Sequence, residues 1–212
     1  MENEEVRTVV APLRLVFAGL ALTLVTLLAA CGSKPPDESH YMDKVARERA
    51  AKDAAFRGPG SPVPAGVQAR FLPLSYYPVD PTYSVPAAFR ENPPGSRQRV
   101  EMPTSSKELR QMERIGTLEF TMQGQALRLS AFKEVGEPDD RLFVPFTDLT
   151  TGKETYQAGR FLDIARSATG IYVVDFNLAY SPYCYYNPTY DCPYPPKENR
   201  LAIAIRAGEK IR

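Results

Sequence analysis

Between Ile115 and Ala131 the chain alternates in the way a β-hairpin requires. Leu118, Phe120 and Met122 share one face and Thr117, Glu119 and Thr121 the other; after Gln123-Gly124, Leu127, Leu129 and Ala131 alternate back. Period two is the strand repeat, and a two-residue turn containing Gly joins antiparallel neighbours. Short apolar or alternating runs follow at Leu142–Phe146, Phe161–Ala165, Ile171–Tyr180 and Leu201–Arg206. Between them stand turn sequences such as Asp148-Leu-Thr-Thr-Gly152, where Asp caps and Gly takes positive φ. Pro145 places its run near an edge or bulge. About seven short strands at this spacing predict a mainly β fold, a single antiparallel sandwich or barrel-like domain.

Upstream of these runs the pattern changes three times. Residues 61–94 carry Pro62, Pro64, Pro73, Pro78, Pro81 and Pro86, a density that excludes helix and confines strands to edges. Before them, Tyr41 to Phe56 reads as a helix, with Ser39 as its cap and Gly58-Pro59-Gly60 as its stop. Its apolar stripe is thin, so it is expected to pack weakly on one side of the domain. Earlier still, Leu15 to Ala30 is sixteen residues without a charge. A spanning helix needs about 20, so this run suits a signal peptide instead.

That run ends in Leu28-Ala29-Ala30-Cys31, followed by Gly32-Ser33. This resembles the lipobox of bacterial lipoproteins, which implies that Cys31 becomes the first mature residue and carries lipid. The acidic Glu2, Glu4 and Glu5 sit where a signal should be positive, which points to translation beginning at Val9 or Val10. The expected organisation is therefore a signal peptide (1–30), a lipidated tether (31–40), a helix and turn (41–60), and a Pro-rich segment plus β domain (61–212). Such a protein is exported and held to a membrane on its extracytoplasmic side by lipid.

Composition excludes some classes. The formal net charge is +1, from 26 basic and 25 acidic residues, and no basic run is interleaved with aromatics, so no nucleic-acid partner is expected. His40 is the single histidine, which argues against a His-rich metal site or a Ser-His-Asp triad. No cofactor is indicated.

The richest stretch runs from Asp175 to Asn199. It contains Cys184, Cys192, and Tyr180, Tyr183, Tyr185, Tyr186, Tyr190 and Tyr194 among closely spaced prolines. Continuing the strand from Ile171 to Tyr180 puts Tyr172, Val174, Phe176, Leu178 and Tyr180 in the core. Asp175 and Asn177 then point together to the opposite face.

These residues, with Thr147-Asp-Leu-Thr-Thr-Gly152-Lys-Glu-Thr155-Tyr156, Gly159-Arg160, Tyr183-Cys184, Cys192-Pro-Tyr-Pro-Pro196, Glu198-Asn199-Arg200-Leu201 and Ala207-Gly208-Glu209-Lys210, resemble a family catalogued only as domain of unknown function 1684. The resemblance covers most of the chain after about Lys52. It implies a mainly β domain found in bacterial and archaeal proteins, some without export signals, and no established activity. Many members carry proline before the first loop cysteine, where this chain has Tyr183.

Several chemistries fit the stretch. Cys184 and Cys192 read first as a disulfide; a nine-residue loop gains about 2.6 kcal/mol in the chain-entropy picture. A metal held by the pair would need Asp175, Asp191 or Glu198 as further ligands. Asp175 and Glu198 are candidate catalytic carboxylates for a small envelope hydrolase, with or without a metal. Arg160, Asn177 and Asn199 would complete a polar pocket floor, or would instead satisfy the backbone of the loop. Tyr180, Tyr183, Tyr185, Tyr186 and Tyr190 are candidate binding residues for a glycan or an envelope protein. The first expectation is a lipid-anchored binding module using this loop; the hydrolase is the alternative.

Overall fold

The computed structural model describes residues 38–136 and 141–212. The expected signal peptide (1–30) and residues 31–37 of the expected tether, Cys31 included, lie outside the described residues. Among the described residues, seven strands form one antiparallel sheet: β1 (Ser84–Glu91), β2 (Gln98–Pro103), β3 (Leu109–Met122), β4 (Gln125–Glu134), β5 (Leu142–Phe146), β6 (Arg160–Ile164) and β7 (Ile171–Asp175). Their order is β6-β5-β4-β3-β1-β7, with β2 also on β3, and the sheet curls into a half-barrel. This is the mainly β architecture that the alternation predicts.

The β3–β4 hairpin anchors the sheet. Gln123 and Gly124 both take positive φ, 51° and 73°, the backbone that a two-residue turn between twisted strands demands. β3 is long enough that β1 and β2 follow one another along its free edge, β1 on Gly116–Glu119 and β2 on Leu109–Arg114. Proline does not confine β1 to an edge as expected, since β1 lies between β3 and β7. Pairing with β3 begins only at Ala88, however, so Pro86 bonds β7 alone and leaves no ladder position unfilled on its other side. A second departure is the short helix Gln68–Phe71 within the Pro-rich segment.

The curl brings the ends of the sheet together. Phe161 of β6 and Tyr180, just beyond β7, exchange both backbone hydrogen bonds at 2.9 and 3.0 Å. Inside lies the main core, including Leu118, Leu129, Val144, Phe146, Val174, Phe176 and Ile205, all at most 1% exposed.

Two expected strands are corrected. β7 stops at Asp175, because its carboxylate accepts the Asn177 N–H at 3.0 Å and starts the 3-10 turn Phe176–Leu178. Phe176 stays in the core; Asn177 does meet Asp175, both side chains bonding the Tyr41 hydroxyl, but Asn177 is fully buried instead of standing on an outer face. Leu201–Arg206 is not a strand, although Leu201, Ile203 and Ile205 are buried at the alternating positions expected. Backbone bonds hold its first half, the Leu201 N–H donating to the Thr147 carbonyl at 2.8 Å and the Leu149 N–H to the Ile203 carbonyl at 3.1 Å, and a side chain described below holds its end.

The helix α1 (Ser39–Arg57) starts two residues before the expected Tyr41, with Glu38 rather than Ser39 at the cap position. Its apolar contribution is thin, as expected: only Val45 and Phe56 are buried. Polar side chains do most of the docking. Tyr41 donates to Asp175 at 2.8 Å, Arg49 to the Tyr77 and Asn177 carbonyls at 2.8 and 3.1 Å, and Lys52 to buried Glu209, while Asp53 accepts the Leu74 N–H at 2.7 Å.

Candidate functional site

Strand pleating gives β5 and β6 two faces. Val144, Leu162 and Ile164 enter the core, so Phe143, Phe161 and Asp163 stand on the opposite side. Over that second side lie the end of α1 and the Tyr-rich loop, and a cleft of ≈ 690 Å³ remains between the three. It falls in the usual size range of a small-molecule site.

The cleft has two aromatic walls. Phe143, Phe161 and Tyr180 form one, with centroid spacings of 4.9 and 5.9 Å; Phe56, Tyr183 and Tyr190 form the other, at 6.0 and 5.2 Å. Lys52 joins them, its Nζ 5.1 Å from the Phe56 centroid and 4.7 Å from that of Tyr180, while it pairs with Glu209. Charges of both signs line the rest: Arg110, Lys133 and Arg141 with Glu134, Asp163 and Asp191. Arg110 reaches Asp191 at 3.4 Å and Glu134 at 3.8 Å. Tyr180 donates to Asp163 at 2.7 Å, and burial, reinforced by that carboxylate, holds its phenol well above the ordinary tyrosine value.

Of the residues singled out in the sequence, Tyr180, Tyr183, Tyr190, Asp191 and Cys192 line this cleft. Tyr183 and Tyr190 offer open ring surface, at 44% and 37% exposure. Tyr185 and Tyr186 do not line it; they pack with Phe71, Leu74 and Phe56 in a separate apolar cluster. Tyr186 is buried and donates to Glu209 at 2.6 Å.

Nor do Asp175 and Glu198 form a catalytic pair. Asp175 receives the Tyr41 hydroxyl and the Asn177 N–H. Glu198 pairs with Arg114 at the surface. They share no partner, and neither lines the cleft.

Arg160, Asn177 and Asn199 are corrected from pocket floor to internal fasteners. Arg160 is 1% exposed, and its guanidinium donates to the carbonyls of Ile205 at 2.7 Å, Glu209 at 3.1 Å and Ala207, and to Asp148 at 2.8 Å. Thr147 and Leu149 pair by backbone with the stretch from Asn199 to Ile203, in parallel, and Arg160 supplies donors from Ile205 onward, where that pairing has ended. The two asparagines act as inserted peptide groups. Asn177 accepts from the Asp80 N–H at 3.0 Å and donates to its carbonyl at 2.8 Å. Asn199 does the same to Ser130, at 2.7 and 2.8 Å, and also donates to the Pro145 carbonyl at 2.8 Å. That amide fills the gap where β4 and β5 diverge, their ladder keeping only Phe132 opposite Phe143.

Cys184 and Cys192 are brought together, the Cys184 N–H donating to the Cys192 sulfur at 3.1 Å, and both are thiols. Among the described residues, no three His, Cys, Asp or Glu side chains cluster as metal ligands, and no helix is long and apolar enough to cross a membrane.

Sequence reasoning missed Lys52, Phe56, Phe143, Phe161, Asp163 and Glu209. One signal was available: Phe143 and Phe161 are large apolar residues on strand positions out of phase with the core-facing ones.

A profile of the family described as "Protein of unknown function (DUF1684)" matches residues 69–210. Among solved structures, the chain is similar to the solution NMR structure of the uncharacterized protein from gene locus rrnAC0354 of Haloarcula marismortui. Identity is 34% and TM-score 0.65, covering 82% of this chain and 96% of that one. No curated protein matches.

Proposed function

The chain belongs to the family of proteins of unknown function DUF1684, and we propose on that premise that it is a binding module whose cleft holds a glycan. One observation carries the reading: two aromatic walls flank a cleft of ≈ 690 Å³ that also presents carboxylates and cations. Tyrosine faces stack on the C–H faces of sugar rings, and Asp163, Glu134 and Lys133 are suited to hydroxyl groups. Lipid attachment at Cys31 belongs to the same proposal, because the run Leu15–Ala30 and the Leu28–Cys31 sequence would place the module at an extracytoplasmic membrane face. No observation favours the hydrolase with Asp175 and Glu198, each of which is already engaged elsewhere.

The test is retention of the full-length protein on immobilised chito-oligosaccharide. Tyr183→Ala combined with Tyr190→Ala should weaken it by roughly 10- to 100-fold, at about 1 kcal/mol or somewhat more per ring. Tyr185→Ala should act on stability instead. Unchanged retention after loss of both cleft rings refutes the glycan site. For the anchor, Cys31→Ser should abolish lipid labelling and membrane retention, and unchanged labelling rules the anchor out.

A further inference from the structure

Cys184 and Cys192 meet from two differently held pieces of backbone. Cys192 is fixed to the β2–β3 turn: its N–H donates to Ser105 Oγ at 3.0 Å, and its carbonyl accepts the Ser105 N–H at 2.9 Å. Pro193 bridges Thr104 alongside. Cys184 sits on the 3-10 turn Tyr183–Tyr185 and reaches across with its N–H to the Cys192 sulfur at 3.1 Å. The two differ in access: Cys192 is 6% exposed, whereas Cys184 is half-buried.

We propose that Cys184 and Cys192 form a reactive dithiol that exchanges with small-molecule disulfides, Cys184 attacking and Cys192 resolving. Access and contact both assign the roles. A thiolate attacks, and Cys184 is the more exposed residue of the two. The groups facing it are the Cys192 thiol, the Tyr156 hydroxyl and the Ser105 hydroxyl, all of them neutral donors; Arg110 acts on Cys192. The Cys192 thiol leads in holding the Cys184 thiol down at about 7, against the opposing effect of burial. Cys192 is pushed up, first by its hydrogen bond to Cys184 and then by burial.

In the first step the Cys184 thiolate displaces one thiolate from the reagent and leaves a mixed disulfide on Cys184. In the second, Cys192 gives its proton to solvent and attacks the Cys184 sulfur, expelling the second thiolate. The protein loses two hydrogens, and the reagent disulfide is reduced to two thiols. Tyr183 and Asp191, the neighbours of the two cysteines, both line the cleft, so closing the bond ties that wall together. The exchange stands whether or not the cleft takes a glycan.

The experiment uses full-length protein with Cys31→Ser, so that only the loop thiols report. Glutathione disulfide should convert the reduced protein to a form that has lost two thiols and retains no glutathione, read by mass spectrometry. Adding Cys192→Ser should trap one glutathione on Cys184. Iodoacetamide alkylation of Cys184 should rise through a midpoint of about 7. At pH 7 that gives about 15-fold more thiolate than a thiol of pKa ~8.5, and about a three-fold faster rate once the weaker nucleophile is allowed for. A stable glutathione adduct on the intact pair, or an alkylation midpoint at or above ~8.5, overturns the proposal. Both of those readings need no loop variant, so a misfolded variant does not obscure them.

Discussion

Replacing Arg160 with Met should cost the fold far more than any surface change. The substitution keeps a long apolar stem but removes every donor from a side chain that is 1% exposed. Asp148, also fully buried at its side chain, keeps the Thr150 N–H and hydroxyl at 2.5 Å each but loses its cation. Breaking a buried ion pair costs about 3–5 kcal/mol, because the remaining charge is left uncompensated. The carbonyls of Ile205, Ala207 and Glu209 lose donors as well, at about 1 kcal/mol or less each if water reaches them. The expected loss is about 4–6 kcal/mol, against a total of about 5–15 kcal/mol for a typical domain. Urea unfolding followed by far-UV circular dichroism measures it, and a melting temperature lower by about 10–20 °C should accompany it. Arg160→Met with Asp148→Asn should recover about 2 kcal/mol, because no charge is then stranded. A loss below about 1 kcal/mol, or no recovery in the double variant, would refute the fastener role and return Arg160 to the list of ligand-facing groups.

Other outcomes follow from the same contacts. Asp175→Asn should lower stability by about 1 kcal/mol, through the weakened Tyr41 contact, and leave chito-oligosaccharide retention unchanged. Glu198→Gln removes a surface ion pair with Arg114 and should move the unfolding midpoint by no more than about 0.5 kcal/mol in free-energy terms. Burial is the leading cause that raises the phenols of Tyr41, Tyr76, Tyr77, Tyr156, Tyr180, Tyr183, Tyr185 and Tyr186. Their stabilising contribution is complete below the unfolded value of about 10 and is lost as pH rises beyond it toward the raised folded values. Tyrosinate absorbance near pH 11, where a free tyrosine is about 90% ionised, should therefore fall well short of the twelve tyrosines, the remainder appearing in one step with loss of the circular-dichroism signal. Nearly full titration at pH 11 with the fold intact contradicts this.

The sequence made the hairpin legible because its turn and both strands obey local rules: Gln123-Gly124 supplies the backbone and the alternation supplies the face. It also placed Leu201, Ile203 and Ile205 inside, since burial follows period two whether or not a ladder forms. What holds the Ile205 end of that segment was not legible. Arg160 lies more than forty residues away, and nothing local distinguishes an arginine that caps carbonyls from one that meets a ligand. Asn177 and Asn199 misled for the same reason: an amide that imitates a peptide group looks, in sequence, like one that binds. Asp175 ended β7 through a side-chain bond two residues ahead, an event that periodicity does not encode. The cleft depends on α1 lying over β5 and β6, and that docking runs through polar contacts such as Lys52 with Glu209, which leave no apolar stripe to read. Tyr183 and Tyr190 were visible as candidates; what separated them from Tyr185 and Tyr186 was the partner each ring meets, Tyr183 and Tyr190 packing on one another and Tyr185 and Tyr186 on Phe71.

The most direct measurement is an NMR titration of the isotope-labelled full-length protein with chito-oligosaccharide, reading amide and aromatic shifts together. A glycan cleft predicts saturable shifts at Phe143, Phe161, Tyr180, Tyr183 and Tyr190, with Asp175 and Glu198 unmoved. Saturable shifts centred on Asp175 and Glu198, or none at the cleft tyrosines, would contradict it.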